Sequence, residues 1–284
     1  MTGAGPELVA AAETLRAAGI ETARTDAELL LAHVLGISRG RLAAMAAVGS
    51  SVRPEDLEAF RALVVSRAAR VPLQHLTGVA PFRGVELHVG PGVFVPRPET
   101  EGVAQLVIDA ARGMDVPVVV DLATGSGAIA LAVAAEVPAA RVTGLERSPE
   151  ALAWAERNAR ALALPNVRVL AGDLADAQPE ADGTVDVVVS NPPYIPDGMV
   201  PRDPEVRLHD PADALFGGPD GLDPMRAVVA TAERLLRAGG LLVVEHGEHQ
   251  GGPVRALLSP EAWSAATTYP DLTGRDRATT ALRR

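Results

Sequence analysis

The chain contains no cysteine, and all 26 of its basic residues are arginine, because lysine is absent too. The first absence removes disulfides, thiolate metal sites and thiol nucleophiles, and the second removes Schiff-base chemistry. Aromatic residues amount to only 3%. No apolar run approaches the roughly 18 residues that span a bilayer, and the opening Met1–Pro6 lacks the basic start of a secretory signal. A soluble, cytoplasmic protein is the expectation. Positive charge is in deficit: the net charge is -10 and the pI about 5.1. That balance argues against a broad phosphate-binding surface. What is present is 284 residues that are 48% hydrophobic, mainly Ala, Val and Leu, enough for one large α/β domain and a smaller companion.

From Glu7 to about Arg70 apolar residues recur at helical spacing, as in Leu8, Ala11 and Leu15, or Leu57, Phe60, Leu63 and Val64, with breaks at Gly19, Gly36 and Gly49. Thr25-x-x-Glu28 has capping-box spacing and predicts a helix start. His33 falls within the apolar pattern and is expected at the core or its boundary. The segment predicts a helical bundle without catalytic groups. Residues 71 to 101 change character. Val85–Val89 alternates as a hairpin strand does, and Val93-Phe94-Val95 predicts a strand ended by Pro96 and Pro98, with an acidic helix start behind it. By pattern alone this Pro-Arg-Pro stretch is a plain linker.

From Val116 strands and helices alternate. Strands are expected at 116–122, 141–146, 167–173, 185–190 and 240–245, with weaker ones at 265–269 and 278–282. Helices are expected at 128–135, at 149–162 behind a Ser148 cap, and near 224–238. This pattern is a doubly wound α/β sheet with right-handed crossovers. The segment 196–221, rich in Pro, Asp and Gly, is long enough for a lid or a partner-binding loop.

The apolar run Val185–Ser190 ends abruptly at Asn191-Pro192-Pro193-Tyr194. Proline cannot donate to a sheet ladder, so the chain leaves the sheet there, at the carboxyl edge where ligands bind in open α/β sheets. The Asn191 side-chain oxygen and the Pro192 carbonyl form a pair of acceptors suited to an NH2 group, and Tyr194 offers a flat face to a planar one. The alternative is a strand-terminating turn with a surface tyrosine.

A glycine-rich turn follows the first strand, Ala123-Thr124-Gly125-Ser126-Gly127, and lets a ligand approach the backbone. Glu146, at the tip of the second strand, can accept both hydroxyls of a ribose. Asp173, at the end of the third, is placed for an adenine amino group that Leu174 can cover. Dinucleotide binding would call for G-x-G-x-x-G and a basic group for the pyrophosphate, and neither is present. An adenosyl ligand without phosphates fits better, which points to S-adenosylmethionine. Asp121 could meet its ammonium through water or backbone.

Taken together these residues carry a resemblance. Ala18-Gly19-Ile20, Arg24–Glu28, Pro72-Leu73-Gln74-His75-Leu76-Thr77-Gly78, Pro96-Arg97-Pro98-Glu99-Thr100-Glu101, Asp121–Ala130, Asn191–Ile195 and Gly217–Leu222 resemble the protein-(glutamine-N5) methyltransferases of the HemK/PrmC type. These enzymes modify class I peptide chain release factors. The coverage is nearly complete, although Asn-Pro-Pro-Tyr is shared with adenine-N6 methyltransferases of nucleic acid. The resemblance implies a class I S-adenosylmethionine-dependent methyltransferase fold with a seven-stranded sheet. It also implies a helical docking domain over 1–75, a hairpin linker over 76–100, a catalytic domain over 101–284, and a Gly-Gly-Gln glutamine as target. Carried over, the cofactor positions are Ala123 to Gly127, Glu146, Leu174 after Asp173, and Asn191; the substrate positions are Asn191, Pro192, Pro193 and Tyr194. No direct nucleic-acid or membrane partner is implied. Three departures stand out. Ala123 replaces the family's glycine, Glu146 its commoner aspartate, and His209-Asp210-Pro211 its Tyr-Glu-Pro. Alanine at 123 keeps a backbone contact provided its φ is negative.

Competing readings are adenine-N6 methylation, which expects a basic groove, and glutamine methylation of a ribosomal protein by a sister family. A binding module with His246, Glu248 and His249 on a metal is a third, although the cluster lacks a ligand spacing. The enzyme reading needs no metal.

Overall fold

The computed structural model describes residues 2–177 and 179–284 and divides into two compact units, Met1–Val79 with Arg202–His209, and Ala80–Pro201 with Asp210–Arg284. The first unit is helical: α1 (Ala4–Ala17), α2 (Ala23–Leu35), α3 (Arg39–Ala47), α4 (Pro54–Ala68) and α5 (Leu73–Thr77). The two-residue strands β1 (Thr2–Gly3) and β2 (Ser51–Val52) pair antiparallel beside them. The helical spacing gathers Leu8, Leu15, Leu30, Leu31 and Phe60 into its core. α2 starts at Ala23, ahead of the Thr25 box, because Glu28 is engaged by Arg24 at 2.5 Å and Arg39 at 2.7 Å and is not free to cap. His33 is exposed, in the last turn of α2, not in the core. Arg67 is a buried cation of this unit. It reaches Asp26 at 2.8 Å and Glu205 at 2.7 Å, and so ties the short helix Pro204–His209 to α4 across 138 positions of sequence.

The second unit opens with the hairpin β3 (Val79–Phe82) and β4 (Val85–His88), followed by α6 (Pro98–Arg112). Val93-Phe94-Val95 is irregular, where a strand was expected. Val93 and Val95 are fully buried, but prolines at 91, 96 and 98 remove the donors a ladder needs. Then come β5 (Val118–Leu122), α7 (Ala128–Glu136), β6 (Arg141–Glu146), α8 (Pro149–Leu162), β7 (Val167–Ala171), β8 (Val185–Ser190), α9 (Pro204–His209, grouped with the first unit), α10 (Asp223–Leu235), β9 (Leu236–Glu245), α11 (Gly251–Ala256), β10 (Trp263–Pro270) and β11 (Asp276–Arg283). α10 stops three residues before the expected Ala238, because β9 already pairs with β8 from Leu236. Ser148 Oγ accepts from Ala151 N and caps α8 as expected.

Seven strands form one sheet in the order β10-β11-β9-β8-β5-β6-β7, parallel from β9 to β7, with β11 antiparallel to both its neighbours. Side chains alternate across each strand. Val119, Val142, Val187, Val189 and Val243 therefore face Ile108 and Leu131 on one side, while Val120, Leu122, Val188, Leu242 and Val244 face Met225, Val228 and Leu235 on the other. From β5 the chain builds outward through β6 and β7, then returns to lay β8 on the opposite side of β5. The switch point lies between β5 and β8, where an open α/β sheet opens a ligand crevice. Among the described residues no single helix is long and apolar enough to cross a membrane.

Candidate active site

The register lines up the carboxyl ends of four adjacent strands. Leu122 pairs with Leu145 on one side and Ser190 on the other, and Ser190 pairs with Val244. The next residue on each strand is Ala123, Glu146, Asn191 and Glu245, one row along a single edge. The sheet brings the expected cofactor and substrate positions together there.

The glycine turn is braced from below. Asp121 is buried, and its Oδ2 accepts from Thr124 Oγ1 at 2.6 Å and from Ala130 N at 3.1 Å, so the carboxylate stitches the loop to the first turn of α7. Its Oδ1 has no partner among the described residues. Burial pushes the carboxyl up to about 7, the Glu146 charge adds to the push, and the Thr124 and Ala130 hydrogen bonds oppose it. Asn158 holds the far side of the loop, donating to the Ser126 carbonyl at 2.9 Å. Gly127 takes a φ of +86°, and a Cβ there would stand 2.8 Å from Leu131. Gly125, with φ of +60°, faces open space. Ala123 departs from expectation: its φ is +59°, the left-handed region in which glycine is unstrained and alanine is not.

Glu146 is nearly buried at the tip of β6. Oε2 accepts from Gly125 N and Oε1 from Ser148 N, both at 2.9 Å, so one carboxylate joins the glycine turn to the head of α8. Each oxygen keeps a further lone pair. Asp173 stands two residues past β7, not in it. It is half-buried, with Oδ1 on Ala175 N at 2.9 Å and Oδ2 at 3.7 Å from Arg147. Leu174 packs against the core under α10.

Two strands along the row from Glu146, Asn191 donates through Nδ2 to Thr100 Oγ1 at 3.4 Å. No described donor reaches its Oδ1 or the carbonyl of Pro192. The corner is rigid. Gln250 donates to the Tyr194 carbonyl at 2.9 Å and accepts from Gly247 N at 2.8 Å. Ile195 N bonds Leu215 O, and Gly217 N returns to Ile195 O, each at 2.9 Å. A Cβ at Gly217 would stand 2.6 Å from the Pro193 carbonyl, so only glycine lets that return strand approach. The Tyr194 hydroxyl points to Glu245 Oε1 at 3.5 Å, and burial with the Glu245 charge raises its pKa, so it stays protonated.

Three participants escaped the sequence pattern. The Pro-Arg-Pro stretch is not a plain linker: Arg97 stacks 5.1 Å from the Phe94 ring centre and pairs with the fully buried Asp210 carboxylate at 2.7 Å, while Thr100 meets Asn191. Glu245 stands 2% exposed in the row of strand tips. A lone Glu at a strand end, as for Glu146, was the one available signal. His246 lies elsewhere: its Nδ1 faces the Gly247 carbonyl and its Nε2 the Thr279 hydroxyl, and burial lowers its pKa. Among the described residues no group of three or more His, Asp or Glu is placed to hold a metal.

Both parts of the chain are similar to known proteins. A family model described as the PrmC N-terminal domain matches residues 8–78, and one described as a methyltransferase domain matches 116–270. The chain is 50% identical to a release factor glutamine methyltransferase of Streptomyces coelicolor, over 97% of this chain and 96% of that protein. It is 43% identical to a 4-amino-L-phenylalanine/4-methylamino-L-phenylalanine methyltransferase of Streptomyces pristinaespiralis, over 100% of this chain and 97% of that one. Among solved structures, a Thermus thermophilus 16S rRNA N2 G1207 methyltransferase in complex with AdoMet and guanosine shares the fold. Its TM-score is 0.53 at 23% identity, covering 72% of this chain and 50% of that one. The doubly wound seven-stranded sheet is the class I methyltransferase fold.

Proposed function

The chain belongs to the release factor glutamine methyltransferase family, and from that premise we propose that it methylates the side-chain amide nitrogen (N5) of the glutamine in the Gly-Gly-Gln motif of class I peptide chain release factors. The observation that carries the reading is the pair of acceptors that no described donor reaches, Asn191 Oδ1 and the Pro192 carbonyl, in the strand-tip row that also holds the glycine turn and Glu146.

The methyl donor is S-adenosyl-L-methionine, and the residues present fit it. Gly125 leaves backbone open to a ligand, Glu146 keeps lone pairs for two ribose hydroxyls, and the buried Asp121 oxygen without a partner faces no protein cation. Glu146 would hold the ribose; Ala123 to Gly127 would pass beneath the amino-acid part, backed by Asp121; Asp173 and Leu174 would bound the adenine. When bound, the donor supplies an electrophilic methyl on a sulfonium whose sulfur leaves as a neutral thioether.

The rest falls to the protein. An amide nitrogen is a weak nucleophile because its lone pair is delocalised into the carbonyl. Asn191 Oδ1 and the Pro192 carbonyl accept hydrogen bonds from its two N–H groups, turn the nitrogen toward the donor and hold it at a near-attack distance of roughly 3 to 3.5 Å; as the N–C bond forms and the S–C bond breaks, one of the two amide protons is lost to solvent. Pro193 fixes the turn, and protonated Tyr194 packs its ring against the amide plane while its hydroxyl stays on Glu245. The helical segment 1–75 serves to dock the release factor, 76–100 links, and 101–284 catalyses. This reading assigns the chain to translation termination in the cytoplasm, with neither nucleic acid nor membrane as partner.

The test is incubation with labelled S-adenosylmethionine and, in parallel, release factor, ribosomal protein, DNA and 4-amino-L-phenylalanine. Mass spectrometry should place one methyl on the Gly-Gly-Gln glutamine of the release factor. Label confined to the free aryl amine would move this chain to the chemistry named for its Streptomyces pristinaespiralis relative.

A further inference from the structure

Asn191 can present its substrate with either an oxygen or an NH2, because the two ends of a primary amide have nearly the same shape. Only the oxygen end can accept a hydrogen from the target amide. Something must therefore fix the orientation of Asn191, and Asn-Pro-Pro-Tyr contains no group that does.

The groups behind Asn191 are polar and buried. Thr100 is 4% exposed, in the first turn of α6, and its Oγ1 takes the Asn191 Nδ2 proton at 3.4 Å. Glu245 is 2% exposed, and the sheet register sets it beside Asn191. Its Oε1 accepts from the Tyr194 hydroxyl at 3.5 Å, and its Oε2 has no hydrogen-bond partner among the described residues. The Thr100 hydroxyl is the neighbour that most favours its charged form.

We propose that Glu245 and Thr100 form a positioning relay that locks the Asn191 amide with its oxygen toward the substrate. The relay rests on the function proposed above. A carboxylate only accepts, so ionised Glu245 draws the Thr100 proton toward itself. Thr100 Oγ1 then has only lone pairs to offer Asn191, and the amide must turn its NH2 inward and its oxygen outward. The same carboxylate holds the Tyr194 hydroxyl, so both side chains that face the target amide are aimed by one buried charge. This gives a role to Thr100 of the Pro-Arg-Pro-Glu-Thr-Glu stretch, with Arg97 and Asp210 fixing the turn that delivers it.

The relay is pH-sensitive. Burial pushes Glu245 up to about 7 and the Glu99 charge on α6 adds to that, while Thr100, Arg277 on β11 and Tyr194 favour the charged form. Arg277 is itself shared with Asp271 at 3.3 Å. Above neutrality the carboxylate enforces the lock. Below it, neutral Glu245 no longer requires the Thr100 proton, which becomes free for Asn191, and the amide can flip.

Two measurements test this. Turnover on release factor is followed against pH for the parent, Thr100→Val, Thr100→Ser and Glu245→Gln. Thr100→Val should lower kcat on the order of tenfold with little change in the KM for S-adenosylmethionine, and Thr100→Ser should recover most of that loss. Glu245→Gln should lower kcat and abolish the acidic limb near pH 7. Independently, the side-chain 15N resonance of Asn191 in the ligand-free protein should titrate with a midpoint near 7, shift in Thr100→Val, and lose its titration in Glu245→Gln. Parent kcat in Thr100→Val, an acidic limb that persists in Glu245→Gln, or an Asn191 resonance indifferent to pH and to Thr100 would each overturn the relay. If the parent leaves release factor unmodified, the functional reading falls instead, and the resonance experiment still decides the relay.

Discussion

Ala123 occupies a left-handed conformation at φ of +59° next to the ligand loop. That conformation costs an alanine about 1–2 kcal/mol, against which glycine loses about 0.5–1 kcal/mol in entropy. Ala123→Gly should therefore raise unfolding free energy in urea by about 0.5–1 kcal/mol with donor affinity unchanged. Glu146→Ala acts oppositely. It removes the acceptor for Gly125 N and Ser148 N together with the ribose contacts, each bond to a charged group worth roughly 1.5–3 kcal/mol, so calorimetric titration should show at least tenfold weaker donor binding. Asp121 sets a pH slope. Its folded pKa of about 7 lies above the ordinary 3.8, so between those values the folded state binds a proton that the unfolded state has released. Stability contributed by Asp121 therefore falls as pH rises through that window and levels off above it. Asp121→Asn, which keeps an oxygen for Thr124 and Ala130, should show a shallower decline across the window in pH-dependent urea melts. Glu146 and Asn191 were legible because each ends a strand pattern. The strain at Ala123 was not, since sequence carries no φ, and neither was Thr100, whose contact with Asn191 spans 91 positions of chain.

At the scale of elements, strands and their order followed from the alternation of apolar runs with helices, and Ser148 marked its own helix. The misses share one cause: local signals were overridden by a partner distant in sequence. Thr25 lost its box because Glu28 had two arginines to choose from, and α10 ended early because β8 was waiting for Leu236. Arg97 is the same case with a functional consequence. Pro96 and Pro98 stiffen the turn, but its position is fixed by the pair with Asp210, whose side chain is fully buried. Arg97→Ala would take the guanidinium away from that carboxylate, a loss of about 3 kcal/mol for a buried pair broken on one side. Since α6 begins at the next residue, Thr100 should lose its place as well. The expected outcome is a lowered urea midpoint together with a larger fractional loss of kcat than of donor affinity. A loss of stability alone would separate the turn from the site.

Across the whole molecule, the chain crosses between its two compact units three times, at residues 79, 201 and 209. The segment Arg202–His209 is therefore a graft: it leaves the long loop behind Asn-Pro-Pro-Tyr and belongs to the helical unit. No sequence period announces such a segment, because its attachment rests on charge. Glu205 accepts from Arg67 at 2.7 Å and Arg70 at 3.2 Å, while Arg67 also holds Asp26 at 2.8 Å. Burial opposes ionisation of Glu205, but hydrogen bonds from the Asp203 side and from the two arginines prevail and lower its pKa. Its contribution is thus present above the ordinary carboxylate pKa of 4.5 and is lost as pH falls below that value. Arg67→Met keeps the bulk and removes the charge, leaving Asp26 without its guanidinium and Glu205 with Arg70 alone. Breaking a buried network on one side costs about 3–5 kcal/mol. The graft should then detach before the sheet unfolds, because none of these three residues packs in the core of the second unit. Trypsin supplies the readout in a chain whose basic residues are all arginine: Arg202 and Arg207 should become early cleavage sites in Arg67→Met while remaining protected in the parent. Donor affinity should stay at the parent value, since Glu146 and Gly125 share no partner with Arg67. Protection of both arginines in the variant would mean that the remaining Arg70–Glu205 pair suffices to hold the graft, and that the buried arginine is dispensable for it.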